Sequence, residues 1–449
     1  KMKKIIFAGW IFWAWFSAAA IAQSVEGTPD FQGISFNKTS NGSIDSLLEI
    51  TACGLGYTHA DVVLGKRMFP VIGAFPGVDQ PASVSLSGIP TGATIEKAFL
   101  YYDVSGPGTA TSVQFGKYQS TIQTYTAAMI GAGPDKAWGY EGTYTFRADV
   151  TAAVTGNGTY SISGLPVDTV PGNTEDTDGA TLFVFYSDPA ADFIGTLHLY
   201  DGSVVIIGST FTQTIRNVYP SDTTQAEAFM LIADMQGMGT KLKFNNGAYE
   251  NTQENFWDFK MTSSDVIPGQ KNSSFGVNAS TDAVNLIISG LYYRQPSGLV
   301  EPVLHLESDT IYCDAIGDTY QWYFNGSLIT GETSSFLIAE NDGNYSVVVS
   351  IDEGCIKSSE YISYINGISN SDKPTNAGIF PNPGNGTFIL RTGTNETSVI
   401  DVLNLSGQIV YSFTTSQEVE SVVLESIPSG MYFVRVSGSV SWTEKLIIR

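Results

Sequence analysis

The chain has 449 residues, 43% hydrophobic and 15% charged, with 46 Gly and 18 Pro spread along it. That length predicts two to four compact units, and the apolar share excludes disorder for most of the chain. Asp and Glu outnumber Lys and Arg by 44 to 22, for a formal charge of −22, which excludes nucleic acid as a partner.

Residues 1–22 have the layout of a leader. Lys3 and Lys4 precede an apolar run over residues 5–16, and Ala20 and Ala22 stand before Gln23. This predicts a secretory signal peptide over 1–22. The run is too short for a stable anchor, and no other segment is long and apolar enough to predict a transmembrane span. An exported chain is free to form disulfides, and it contains three cysteines, Cys53, Cys313 and Cys355. Cys53 reads as a small buried apolar side chain, since its nearest histidine in sequence, His59, has no recognisable catalytic context.

From residue 24 to residue 296 short apolar runs alternate with Gly, Asn and Pro turns, which predicts strands throughout. The segment also resembles itself. Ala98-Phe99-Leu100-Tyr101-Tyr102-Asp103, followed by Val113-Gln114-Phe115, is echoed by Ala228-Phe229-Met230-Leu231-Ile232-Ala233 and Leu242-Lys243-Phe244. Thr177-Asp178-Gly179-Ala180-Thr181 leads into one strand and Thr281-Asp282-Ala283-Val284-Asn285 into another. Two related β-sandwich halves follow, 24–190 and 195–296, with turn spacing that suits a duplicated jelly-roll-like region. The runs at 97–102, 146–151, 158–160, 178–186 and 200–202 resemble a recurring bacterial surface-protein domain, which implies location rather than an activity.

The chemistry-bearing residues of this region are sparse. The chain has three histidines, His59, His198 and His305, in no metal-binding spacing, so zinc hydrolysis and histidine triads are disfavoured. His198 alternates with apolar residues and reads as a strand-face histidine. Glu141, Asp149, Glu175, Asp201 and Glu227 are the carboxylates from which a glycosidase pair would be drawn. Asn173, Glu175, Asp176 and Asp178, set at short intervals before Gly179, are candidate calcium ligands because calcium takes irregular shells of oxygen. Trp138, Tyr140 and Trp257, in loop-like Gly- or Asn-flanked contexts, are candidates for stacking on a sugar.

Residues 301–366 form a smaller unit. Tyr320-Gln321-Trp322-Tyr323-Phe324 runs into an Asn325-Gly326 turn, and Asp342-Gly343-Asn344-Tyr345 leads into another strand. This resembles an immunoglobulin-like domain, with Trp322 as its core tryptophan and Tyr345 as its corner tyrosine. Val347 occupies the usual second cysteine position and Cys355 lies further on. Cys313 and Cys355 are expected to pair, closing a loop of about 40 residues worth roughly 3 to 4 kcal/mol. Residues 367–378, rich in Asn, Ser and Gly, read as a linker holding the cleavage region.

The last segment, 379–449, is the most informative. It opens on Pro381-Asn382-Pro383, continues through strands at 399–405 and 408–413 about the Ser406-Gly407 turn, and ends on Pro428-Ser429-Gly430-Met431-Tyr432-Phe433-Val434-Arg435-Val436 and Glu444-Lys445-Leu446-Ile447-Ile448-Arg449. It resembles the type A C-terminal sorting domain of the type IX (Por) secretion system of Bacteroidetes-type bacteria. The resemblance implies a small β-sandwich and places the sorting signal on Pro381, Asn382, Pro383, Gly407, Gly430, Tyr432 and Lys445. It also implies export across the outer membrane, with the secretion machinery and its sorting protease as partners, and then surface attachment or release.

The fold class is therefore all-β, as tandem β-sandwiches. With no convergent catalytic set, the leading reading is a secreted or cell-surface adhesin or ligand-binding protein, with a glycan as candidate ligand. Its alternatives are a carbohydrate-active hydrolase using paired carboxylates and a structural subunit of a surface layer or filament.

Overall fold

The computed structural model describes residues 43–449 except 67, 70–72, 75–76, 135–138, 168–174, 217, 235–239, 248–249, 252–255, 366–372 and 425–426. The chain divides into two compact units, one of residues 1–301, 315–319 and 349–357, the other of 302–314, 320–348 and 358–449.

The first unit begins with β1 (Ile44–Cys53), β2 (Gly56–Val63), the short ribbon β3 (Met68–Phe69) and β4 (Gly73–Ala74), β5 (Ala82–Leu86), β6 (Thr94–Gly106), β7 (Ser112–Lys117), β8 (Gln123–Gly133), β9 (Gly142–Asp149), β10 (Gly158–Ser163) and β11 (Asp176–Ser187). It continues with β12 (Phe193–Arg216), β13 (Thr224–Ala233), β14 (Thr240–Phe244), β15 (Glu250–Asn251), β16 (Trp257–Val266) and β17 (Asn272–Pro296). The first eight-stranded sheet runs β2-β11-β6-β9-β8-β7-β10-β5. It curls over so that β2-β11-β6-β9 forms one layer and β5-β10-β7-β8 the other, which is the strand order of a jelly roll.

The second half repeats that order with fewer, longer strands. Its layer β12-β17-β13-β16 matches β2-β11-β6-β9 strand for strand. The far end of β12 (209–216) pairs with the start of β17 (272–279), which also takes β14, and β14 takes β15. One 24-residue strand, β12, thus does the work of β2 and β5, and the 25-residue β17 does that of β10 and β11. The paired echoes fall on equivalent strands: β6 beside β11 with Leu100 opposite Leu182, and β13 beside β17 with Leu231 opposite Ile288. β1, read with the first half in sequence, pairs with β12 and belongs to the second sheet.

The two jelly rolls stack back to back. Phe99, Tyr101, Phe183 and Phe185 of the first meet Leu197, Leu199, Phe229, Leu231 and Trp257 of the second in one core layer. Leu100, Tyr102, Leu182 and Val184 face the interior of the first roll, and Met230, Ile232 and Leu286 that of the second. The central strands are buried on both faces, which explains their unbroken apolar runs where a half-exposed strand would alternate. A polar layer crosses the same interface. Thr143 and Thr145 each donate to Asp103 at 2.6 Å, Asn285 donates to Thr145 and accepts from Ser203, and the buried Arg147 pairs with the buried Asp201.

Residues 302–364 carry two small sheets. β18 (Leu304–Glu307), β19 (Thr310–Cys313) and β22 (Phe336–Ile338) form one; β20 (Thr319–Phe324), β21 (Ser327–Leu328), β23 (Gly343–Ser350), β24 (Ile356–Ser358) and β25 (Ile362–Tyr364) form the other. Trp322 is fully buried and donates to Ser334 O at 2.8 Å, and the Tyr345 hydroxyl donates to Asn341 O at 2.9 Å, as a corner tyrosine does. The expected Cys313–Cys355 bridge is not formed. Cys355 is bonded to Cys53, 302 residues away, with a Cα–Cα distance of 4.9 Å. The reason is spatial: residues 349–357 pack with the first unit, where Cys53 N donates to Glu353 O and Ile356 N to Pro189 O. Cys313 stays a half-buried thiol on β19.

The chain ends with β26 (Gly378–Phe380), β27 (Thr387–Arg391), β28 (Ser398–Leu403), β29 (Ile409–Thr415), β30 (Val419–Val423), β31 (Gly430–Ser437) and β32 (Trp442–Ile448). Sheets β26-β27-β30 and β29-β28-β31-β32 enclose a core of Ile379, Phe388, Leu390, Ile400, Val434 and Trp442 among others.

Candidate functional site

Strand β2 sits at the edge of the first sheet, and its period of two places Tyr57, His59 and Asp61 on one face. That face looks onto β13, β16 and β17 of the second roll. The Tyr57 ring packs against Phe183, Phe229 and Tyr292 with centroids 4.8 to 5.5 Å apart, and its hydroxyl donates to Glu227 Oε2 at 3.0 Å. Burial, then the charge of Glu227, drives the Tyr57 hydroxyl far above the ordinary tyrosine range, so it remains a proton donor.

His59 stacks on Phe259 at 3.7 Å, and its Nδ1 lies 2.7 Å from Asp61 Oδ2. Asp61 is itself held: Thr181 donates to its Oδ1 at 2.6 Å, and Trp257 Nε1 donates to Thr181 Oγ1 at 2.9 Å. On β17, Tyr292 donates to Leu55 O at 2.6 Å and accepts from Arg294 Nε at 2.5 Å. The guanidinium lies 4.4 Å from the Phe193 ring centroid. Burial pushes the Tyr292 hydroxyl up to about 12. Tyr186 donates to Gly88 O at 3.2 Å, and burial raises its pKa as well.

Tyr57, His59, Tyr186, Glu227, Tyr292 and Arg294 line an open groove of about 510 Å³ at the seam of the two jelly rolls, together with Gln225, Met261 and Tyr293. Its wall combines tyrosine rings with one guanidinium, one amide, one imidazole and one carboxylate, Glu227. Such a wall suits a polar ligand that hydrogen-bonds to these groups above an aromatic floor.

The sequence candidates are distributed as follows. Of the five carboxylates only Glu227 lines the groove. Asp201 is consumed in the buried pair with Arg147, and Asp149 accepts from Thr151 and faces Lys97. Glu141 is exposed and Glu175 half-buried, both apart from the groove lining. Trp257 is no stacking platform: it is 2% exposed in the core between the rolls, because β16 turns that face inward. Tyr140 is half-buried and does not line the groove, and Trp138 lies outside the described residues. Asn173 also lies outside them. Asp176 and Asp178 are fully buried where β11 begins, with Lys66 N donating to Asp176, and Glu175 directly precedes them. Among the described residues no group of three His, Cys, Asp or Glu is placed to hold a metal ion. Sequence reasoning passed over Tyr57, His59, Tyr292 and Arg294. The spacing of His59 and Asp61 on one strand face was the available signal; the rest converge only through tertiary contacts.

The residues to which the resemblance assigns the sorting signal lie within the C-terminal domain. Asn382 Nδ2 donates to Lys445 O, Ile447 N donates to Asn382 Oδ1 at 2.9 Å, and Gly384 bridges Ile448 in parallel. Pro381 and Pro383 flank that asparagine. Gly407 takes a φ of 74° in the β28–β29 turn, which favours glycine. Gly430 opens β31, and Tyr432 donates to Pro428 O at 2.8 Å.

The chain matches no curated protein. Among the described residues no helix is long and apolar enough to cross a membrane. Residues 378–449 match the family described as the secretion system C-terminal sorting domain, a span that includes the Pro-Asn-Pro opening, the β28–β29 hairpin and the basic-apolar tail. The chain therefore carries a C-terminal sorting domain of the type IX secretion system and is a secreted, cell-surface protein of the kind that is cleaved at its C-terminus.

Proposed function

We propose that this exported protein is a non-catalytic surface binder of glycans, with the groove between its two jelly rolls as the binding site. The observation that carries the reading is the groove wall itself. Tyr57, Tyr186, Tyr292 and Tyr293 form a largely buried aromatic floor, while the exposed Gln225, Glu227 and Arg294 offer planar groups that hydrogen-bond in pairs. A hydrolase of the two-carboxylate kind needs a second acid facing the first across roughly 5 to 10 Å. Glu227 is the one carboxylate among the lining residues, and its partner is a tyrosine hydroxyl. This favours binding over hydrolysis.

A glycan array probed with the full chain is the direct test. Capture of at least one glycan is expected, together with a loss of about 10- to 100-fold in affinity for Glu227→Gln or Arg294→Gln, the range of a lost charged hydrogen bond. Release of reducing ends from the captured glycan would favour the hydrolase instead.

A further inference from the structure

We infer that His59 is the specificity-determining acceptor of this groove, locked by Asp61 so that its Nε2 receives one hydroxyl of a neutral hexopyranose. The inference rests on the glycan-binding reading and adds to it which atom reads the sugar.

A relay of hydrogen bonds sets the ring. The buried Trp257 indole donates to Thr181, whose hydroxyl is thereby turned to donate to Asp61 Oδ1, leaving Asp61 Oδ2 for His59 Nδ1. A carboxylate oxygen accepts, so Nδ1 carries the proton in this contact, and on this inference the second nitrogen, Nε2, keeps its lone pair. Phe259, stacked at 3.7 Å, fixes the ring plane. Nε2 has no partner among the described residues, and the His59 side chain, 24% exposed, lines the groove. A chain of hydrogen bonds from His59 through Asp61 and Thr181 to a core tryptophan is more than a surface histidine requires, and such a chain holds an imidazole in one orientation.

The same wall defines the class of sugar. Glu227, whose Oε2 accepts from Tyr57, keeps Oε1 as a second acceptor in the groove, while Arg294 and Gln225 supply donors to ring or hydroxyl oxygens. A uronic acid would bring a second carboxylate into a groove that already holds Glu227, beside the single guanidinium of Arg294. A neutral hexose meets both acceptors with hydroxyls.

The test uses the full chain labelled with ¹⁵N at histidine, which has three imidazoles to resolve, with His59→Phe as assignment control. The probes are methyl glycosides of glucose, galactose, mannose, N-acetylglucosamine and glucuronic acid, with ring-labelled tyrosine as a second reporter. The His59 spectrum is expected to show protonated Nδ1 and bare Nε2, and at least one neutral glycoside to shift Nε2 while the glucuronide does not. His59→Phe, which keeps the stack on Phe259, is expected to weaken that glycoside about fivefold, the value of one neutral hydrogen bond. A proton on Nε2, or tyrosine shifts with His59 silent, or a glucuronide shift at His59, would overturn the inference and leave the glycan-binding reading in place. Silence of histidine and tyrosine alike across all probes, with no capture on the glycan array, would overturn both.

Discussion

His198 lies on β12 with 1% of its surface exposed, and neither ring nitrogen meets a hydrogen-bond partner among the described residues. Burial holds its pKa below the ordinary histidine value, with the nearby Glu49 opposing the shift. The folded chain therefore keeps the ring neutral, while the unfolded chain takes up a proton as pH falls below about 6.5. The stability this histidine permits is complete above that value and is lost as pH drops through it, by at most about 1.4 kcal/mol per pH unit. Urea unfolding at pH 7.5 and 5.5 should show His198→Phe losing less stability on acidification than the wild type; equal losses would show that His198 does not titrate on unfolding. The sequence reading of a strand-face histidine located the residue correctly, but its lack of partners depends on neighbours contributed by β17.

At the scale of elements, the sorting domain shows why its motif opens on Pro-Asn-Pro and closes on a basic-apolar strand. The two ends are one structure, since Asn382 brackets β32 through Lys445 O and Ile447 N, and Arg449 N donates to Gly384 O. Asn382→Ala removes both side-chain bonds and is expected to cost about 1 to 3 kcal/mol locally. Faster amide exchange across residues 442–448 than in the wild type would register it; unchanged exchange would show that the asparagine does not clamp the strand. Hydroxyl-to-carbonyl bonds four residues back recur at Tyr160, Tyr345 and Tyr432, one in the first jelly roll, one among residues 302–364 and one in the sorting domain. Of these the sequence reading singled out Tyr345.

At the scale of the whole chain, the Cys53–Cys355 bond ties residues 349–357 to the turn that begins β2. Lys357 strengthens the tie through Asp192 at 2.5 Å and Glu301 at 3.7 Å. Cys53 stands two residues before Leu55, whose carbonyl holds Tyr292 in the groove. Closing a loop of this separation is worth up to about 5 to 6 kcal/mol on chain-entropy scaling, less if the reduced chain keeps structure. Cys53→Ala with Cys355→Ala should therefore lower the urea midpoint of the first unit, whereas Cys313→Ala should not; equal midpoints for all three chains would show that the bond contributes nothing to stability.

The strands, the duplicated apolar runs and the sorting domain were legible in the sequence by itself. These depend on local periodicity, turn chemistry and short motifs, which neighbouring residues carry. The sequence could not determine the disulfide partner or the groove. Cys313 is nearer Cys355 along the chain than Cys53 is, and sequence distance favoured it, but the packing of residues 349–357 onto the first unit decided otherwise. Tyr57 and His59, Glu227, and Arg294 come from three stretches up to 237 residues apart, and only the back-to-back stacking of two curled sheets brings their side chains onto one wall.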